Sequence, residues 1–290
     1  MLEIPLLYKD RRLEGETTLR QCQLVQLHLL YVFDAICKAH NLTYFLGGGT
    51  LLGAMRHGGF IPWDDDLDVG MPMEDYKKFI TIAQTELPKD VVLQTPESRP
   101  HTAMPFVKLR DAYSFYYEMR PDITTSDFAG IYMDVFAYEE FPDVNEKLQR
   151  WLLLRIAKNY WKAFGHLWGM VRKRRHFWTR LPYYVWCKMA HKCLRVVVEV
   201  LKKITATQSV FIQVENNFHF RFDKAKIYPT RMMRFEDGEF PIPNDPEAFL
   251  TTQYGNWKEI PPPEKRPRHA TIILPTTAQN SPEAMTYPLG

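Results

Sequence analysis

Between residues 19 and 40 apolar side chains recur at helical spacing, with Cys22, Val25, Leu29, Val32 and Ile36 on one face, which predicts an amphipathic helix. The apolar run Asn41–Leu46 then reads as a short buried strand leading into the glycine turn Gly47-Gly48-Gly49. Thr50 is placed as the cap of a short helix over Leu51–Met55, and Gly58-Gly59 ends it. A strand follows in which Asp64, Asp66 and Asp68 share one face, because side chains two apart in a strand point the same way; Asp65, Leu67 and Val69 take the other. Pro72 opens another helix, with Glu74 and Asp75 in its first turn and Tyr76, Phe79, Ala83 and Leu87 facing the core. Val91–Gln94, Pro105–Arg110, Ser114–Met119 and Ile131–Ala137 read as strands. The pattern is α/β (α+β), a mixed sheet with helices.

From about residue 145 to 205 the pattern changes to helical, with tryptophans and basic residues interleaved. Mixed composition returns after about 205, and the Pro-, Ser- and Asn-bearing end, 279–290, is expected to be disordered. This divides the chain into a core at 19–142, a basic aromatic-rich helical insertion at 145–205, a C-terminal part of the same domain at 206–275, and a tail.

Composition adds three limits. The chain has 290 residues, 46% of them hydrophobic, enough for a sizeable core. Its four cysteines, Cys22, Cys37, Cys187 and Cys193, form no metal-ligand pair and no disulfide framework, which points to a reducing compartment. The N-terminus lacks the layout of a signal peptide, and no window of about twenty residues is free of charge, so neither a leader nor a spanning helix is expected.

Charge is more informative. Residues 147–203 hold 15 Lys plus Arg against one acid, Glu199, while the rest of the chain holds 22 basic and 33 acidic residues. Three readings fit this segment: a surface for nucleic acid, a face for an anionic membrane or polymer, or a solvated helical subdomain whose tryptophans are core. Docking to an anionic membrane or polymer is favoured and nucleic acid disfavoured. Arg172-Lys173-Arg174-Arg175 is a run that no buried face tolerates.

The candidate chemistry concentrates in residues 45–70. Carboxylates crowded on one face repel unless a cation sits among them, and hard divalent ions prefer oxygen ligands. A glycine turn opening a helix offers free backbone N–H groups to phosphate. Together they describe a metal–nucleotide site. Asp66 and Asp68 are the leading metal ligands, Asp64 a ligand or a supporting group, and Asp65 structural. Gly48, Gly49 and Thr50 form the expected phosphate cradle, Arg56 and Lys108 its cationic partners, with Arg110 a weaker candidate.

The stretch Gly47-Gly48-Gly49-Thr50-Leu51-Leu52-Gly53-Ala54, then Arg56-His57, then Gly59-Phe60-Ile61-Pro62-Trp63-Asp64-Asp65-Asp66-Leu67-Asp68, resembles the LicD family over about two dozen consecutive positions. These phosphotransferases are related to the fukutin proteins and have a nucleotidyltransferase-type fold. The resemblance continues at Phe106–Asp111, Gly130–Phe136, Phe240–Pro243, Tyr254-Gly255 and the Arg266-bearing end. It implies Asp134 as a third carboxylate on a later strand, able to ligate metal or accept a proton from the acceptor. After Asp134 the family's proline and second aspartate give way to Ala137 and Glu139. The implied reaction is transfer of a phospho-alcohol group, phosphocholine-like, from a CDP-activated donor to a hydroxyl of a cell-surface glycan, releasing CMP and using Mg2+ or Mn2+. The implied setting is cytoplasmic, peripheral to the inner face of the membrane through segment 147–203. A Mn2+-dependent glycosyltransferase using a nucleotide sugar and a non-catalytic adaptor are the rival readings.

Overall fold

The structure is a computed structural model, and it describes residues 10–96, 98, 106–118, 130–172, 177–205, 209–212 and 220–277. The expected tail at 279–290 and Lys173-Arg174-Arg175 lie outside the described residues, as do the first residue of the strand expected from Pro105 and the last of that expected to Met119.

The first half of the chain runs α1 (Thr18–Ala39), β1 (Phe45–Leu46), α2 (Gly48–His57), β2 (Asp68–Pro72), α3 (Met73–Glu86), β3 (Val91–Gln94), β4 (Val107–Asp111), β5 (Phe115–Glu118) and β6 (Tyr132–Phe141). Two long helices follow, α4 (Glu146–Arg172) and α5 (Phe177–Ile204). The chain then forms β7 (Ser209–Ile212), β8 (Arg221–Asp223), α6 (Lys224–Ile227), β9 (Arg231–Phe235), β10 (Gly238–Ile242), α7 (Pro246–Tyr254) and β11 (Ala270–Leu274). The fold is mixed α/β, as the patterning predicts.

The main sheet has seven strands in the order β1-β2-β6-β4-β3, with β7 joined to β6 and β8 to β7. Among the described residues only the β2/β6 pair of this sheet is parallel. Their register sets Asp68 beside Asp134, and on the other side of β6 Lys108 of β4 faces Asp134. One row across three strands therefore carries Asp68, Asp134 and Lys108, and in-register neighbours share a face of the sheet.

α1 is buried on more than the expected stripe. Cys22, Val25, Leu29, Val32 and Ile36 are all at 1% exposure or less, and Gln23, Gln26, His28 and Asp34 are buried too. Thr17 caps the helix by accepting from the Arg20 N–H at 3.1 Å. A single apolar core joins α1, β1, β2, β4, β6, α7 and the β9/β10 hairpin, including Phe33, Phe45, Phe79, Phe235, Phe240 and Phe249. Each such side chain, fully buried, contributes about 1.5–3 kcal/mol.

α4 and α5 pack on each other antiparallel, with Tyr160 beside His191 and His166 beside Tyr183. A small separate core of Leu152, Leu153, Ile156 and Val198 meets Phe141 at the end of β6. The guanidinium of Arg195 grips the Glu139 carboxylate with both nitrogens, which ties α5 to the sheet.

Candidate active site

The acidic run differs in form from the expected strand. β2 begins only at Asp68, and residues 64–67 are an extended loop. The reason lies in its backbone partners, which belong to other elements. Gln23 Nε2 donates to the carbonyls of Ile61 (3.2 Å) and Asp64 (3.0 Å), and Gln26 Nε2 donates to that of Asp65 at 2.7 Å. A loop fixed from the flank by a buried helix needs a neighbouring strand only at its end, where the Asp134 N–H donates to the Leu67 carbonyl at 2.8 Å. The alternation survives: Asp64, Asp66 and Asp68 line one cleft, while Asp65 turns away.

Asp65 is consumed by the C-terminal segment. It accepts from the backbone N–H of Ala270 at 2.8 Å, from that of His269 at 3.1 Å, and from His269 Nδ1 at 2.9 Å. Burial alone would raise its pKa, but these donors hold it below the ordinary carboxylate range. The reciprocal effect pushes His269 up to about 9, chiefly through the Asp65 hydrogen bond, so its imidazolium also stands 3.5 Å from Asp66.

α2 starts earlier than expected, at Gly48, with Gly47 as its N-cap. Thr50 lies within the first turn, and its hydroxyl accepts from the Asp68 N–H at 2.8 Å, joining the helix start to the strand start. Gly48 has φ +48°, and a Cβ there would lie 2.2 Å from the Asp68 carboxylate. A Cβ on Gly49 would come 2.8 Å from that of Asp64. Glycine at both positions lets two carboxylates approach a helix N-terminus whose first N–H groups have no partner within the helix. Gly58, at φ +73°, closes α2 as expected.

The cleft has a volume of about 450 Å³ and is walled by Leu52, Ile61, Trp63, Tyr254 and Trp257. Arg56 reaches it, anchored by bonds to the carbonyls of Trp257 (2.9 Å) and Glu259 (3.1 Å). Arg266 stacks its guanidinium 3.9 Å from the centre of the Trp63 ring, also at this site. A second chamber of about 290 Å³ shares Asp68 and Tyr254 with the first and is lined by Gly47, Gly48, Phe136, Tyr138 and Phe220.

Lys108 and Arg110 take other places. Lys108 is 1% exposed, 2.7 Å from the Asp134 carboxylate and 3.2 Å from the centre of the Tyr132 ring, so it serves the acid beside it rather than lining the cleft. Arg110 donates to Gln94 (2.5 Å) and to the Gly130 carbonyl (2.7 Å), which commits it to the sheet.

Burial pushes Asp64 up to about 8, with the neighbouring charge of Asp66 adding to it. Asp66 is raised and Asp68 raised well above the ordinary range, each mainly by burial. Burial carries Asp134 to about 6 against the pull of Lys108. Carboxylates that resist ionisation together are a donor set short of positive charge, which a hard divalent cation suits. Asp64, Asp65 and His269 also bring ligand atoms within 4.8 Å of one another. Both oxygens of Asp65 are already engaged and His269 is cationic, so the set Asp64, Asp66 and Asp68 fits a metal better.

Residues 41–147 match the nucleotidyltransferase domain of the LicD/FKTN/FKRP proteins. The lipopolysaccharide cholinephosphotransferase LicD of Haemophilus influenzae is 28% identical over 268 residues, 87% of this chain and 96% of that protein. The chain thus carries a LicD-type nucleotidyltransferase domain and is similar over most of its length to a LicD phosphotransferase. The human ribitol 5-phosphate transferase FKRP is 52% identical over 40 residues, 14% of this chain and 8% of that protein. An uncharacterized Rickettsia prowazekii protein, RP689, is 43% identical over 67 residues, 23% of each. The LicD-like domain spans the glycine turn, the acidic loop and Asp134, whereas Tyr254, Trp257, Arg266 and His269 lie beyond it. The last four, with Gln23 and Gln26, are the site's contributors that spacing along the chain does not announce.

Proposed function

We propose that the chain transfers a phospho-alcohol group from a CDP-activated alcohol to a hydroxyl of a cell-surface glycan and releases CMP. The observation that carries this reading is the convergence of Asp64, Asp66 and Asp68 on the glycine-opened N-terminus of α2, within one cleft. The likeness to proteins named as a cholinephosphotransferase and a ribitol 5-phosphate transferase supports the phospho-alcohol part.

Asp64, Asp66 and Asp68 would hold Mg2+, or Mn2+, which supplies neutralisation of the diphosphate charge. Gly48, Gly49 and Thr50 would present their N–H groups to a phosphate, assisted by the helix dipole. Arg56 adds a fixed positive charge on the same side of the cleft. Asp134, one strand from Asp68 and poised near neutral pH, is the group suited to accept the acceptor hydroxyl's proton. Lys108 acts through Asp134, holding its carboxylate in place and restraining its pKa.

The aromatic chamber beside Asp68 favours choline among the alcohols. Phe136, Tyr138, Phe220 and Tyr254 line it, an aromatic setting that suits a quaternary ammonium.

The test is nucleotide release from CDP-choline, CDP-glycerol, CDP-ribitol and a UDP-sugar, with Mg2+, with chelator, and with Asp66→Asn, using glycan-bearing membranes as acceptor. Metal-dependent CMP release from CDP-choline, lost in the variant, is expected. UDP release would overturn the reading in favour of a glycosyltransferase.

A further inference from the structure

α5 has two apolar faces. One, with Cys187, Leu194, Val198 and Leu201, turns inward, and Leu194, Val198 and Leu201 join the small core against α4 and β6. On the other, Trp178, Val185, Trp186, Met189, Val196, Val197, Val200 and Ile204 stand exposed. At about 100° per residue these eight fall within an arc of about 120°, opposite the inward face and running the whole helix. The exposure is large where it counts: 79% for Trp178, 69% for Trp186 and 74% for Ile204. Among the described residues nothing covers this stripe. A surface helix of a soluble domain normally turns charge outward, so an outward stripe of this length has a partner outside the fold.

Charge selects the partner. Lys188, Lys192 and Lys203 are exposed along one flank of the stripe, and on α4 Arg155, Lys158 and Lys162 are exposed as well. Segment 147–203 carries 15 basic residues and one acid, Glu199, which Lys202 already pairs at 2.8 Å. A second copy of the chain would bring the same positive charge to the same face and repel it. An acidic polymer alone would satisfy the lysines and leave the tryptophans in water. A helix of 28 residues is about 42 Å long, yet no described helix is apolar enough to cross a membrane. Tryptophans at the stripe and lysines beside it suit the boundary between headgroups and acyl chains.

We propose that α5 lies in the plane of an anionic membrane, its Trp178–Ile204 stripe in the interface and Lys188, Lys192 and Lys203 against the headgroups. This does not depend on the reaction proposed above, and its test uses no turnover. Full-length protein is sedimented with vesicles of pure phosphatidylcholine and of phosphatidylcholine with phosphatidylglycerol, while tryptophan emission is followed. The expected result is binding to the anionic vesicles, weakened by salt, with a blue shift. Trp178→Ser with Trp186→Ser, and separately Lys188→Gln with Lys192→Gln, should each weaken partition by about tenfold or more. Circular dichroism of each variant establishes that the helices remain. Absence of vesicle binding by the folded wild type overturns the proposal, as does salt-sensitive binding that the tryptophan variant leaves intact, which would mark a purely electrostatic contact. A concentration-dependent dimer abolished by Trp178→Ser with Trp186→Ser would overturn it in favour of an interface between copies.

Discussion

In the acidic cleft, Gln23, Gln26, Thr50 and the backbone of residues 269–270 each hold an atom of the loop running from Ile61 to Asp68. Along α5, Trp178, Trp186, Met189 and Ile204 stand in solvent with no described side chain over them. The first region satisfies its buried carbonyls and the Asp65 carboxylate from within the chain. The second leaves its costly groups, large apolar surfaces, for something outside the chain to satisfy. Stability should therefore respond to substitution in the cleft and ignore it on the stripe, while membrane attachment should do the reverse.

The largest effect that would sharpen this contrast is on turnover. Asp66→Asn or Asp68→Asn removes a charge from the proposed metal set, and CMP release should fall by at least about a hundredfold, with the fold kept by circular dichroism. An active Asp68→Asn enzyme would break the assignment. Gly48→Ala comes next. Its φ of +48° and a Cβ 2.2 Å from Asp68 predict a loss of about 1–3 kcal/mol in chemical denaturation, together with lost phosphate binding. Gln26→Ala would leave the Asp65 carbonyl unpaired and should cost a similar amount, about 1–3 kcal/mol, though it touches no substrate. The pH response is smaller. A carboxylic acid raised in the folded state to about 8 stabilises the fold when protonated, so without metal the Asp64 contribution is full below about 4 and is lost as pH rises through 8. Melting with Mg2+ against chelator should therefore show a larger metal gain at pH 8 than at pH 5.5. An equal gain at both would place the cation elsewhere. Smallest of all, Trp178→Ser should shift the denaturation midpoint by no more than about 0.5 kcal/mol, since it removes an exposed side chain.

Much of this was legible along the chain. The stripe Cys22, Val25, Leu29, Val32 and Ile36 marks the inward face of α1 because helical periodicity reports burial directly. Spacing also brought Asp64, Asp66 and Asp68 to one side and sent Asp65 to the other, although the loop there is not a strand. What spacing hides is partnership across the chain. Lys108 and Asp134 pair because β4 and β6 are neighbours, and no local pattern states that register. Gln23 and Gln26 look like solvated positions on a long helix until the acidic loop is laid against them. The basic, tryptophan-bearing run at 145–205 favours docking from its letters alone, but which face of α5 stays outside the core emerges only once α4 and β6 are packed against it.

The bonds from His269 and Ala270 to Asp65 carry a consequence for how the protein is made. Synthesis runs from the N-terminus, so the glycine turn and all four aspartates of the loop leave the ribosome some two hundred residues before the segment that pins them. Until β11 is released and paired with β5, the loop lacks its outer tether and His269 its place beside Asp66. A chain cut short before His269 would keep every acidic residue of the loop yet lack the clasp. Closure of the acidic loop is thus deferred until the segment around His269 has been made.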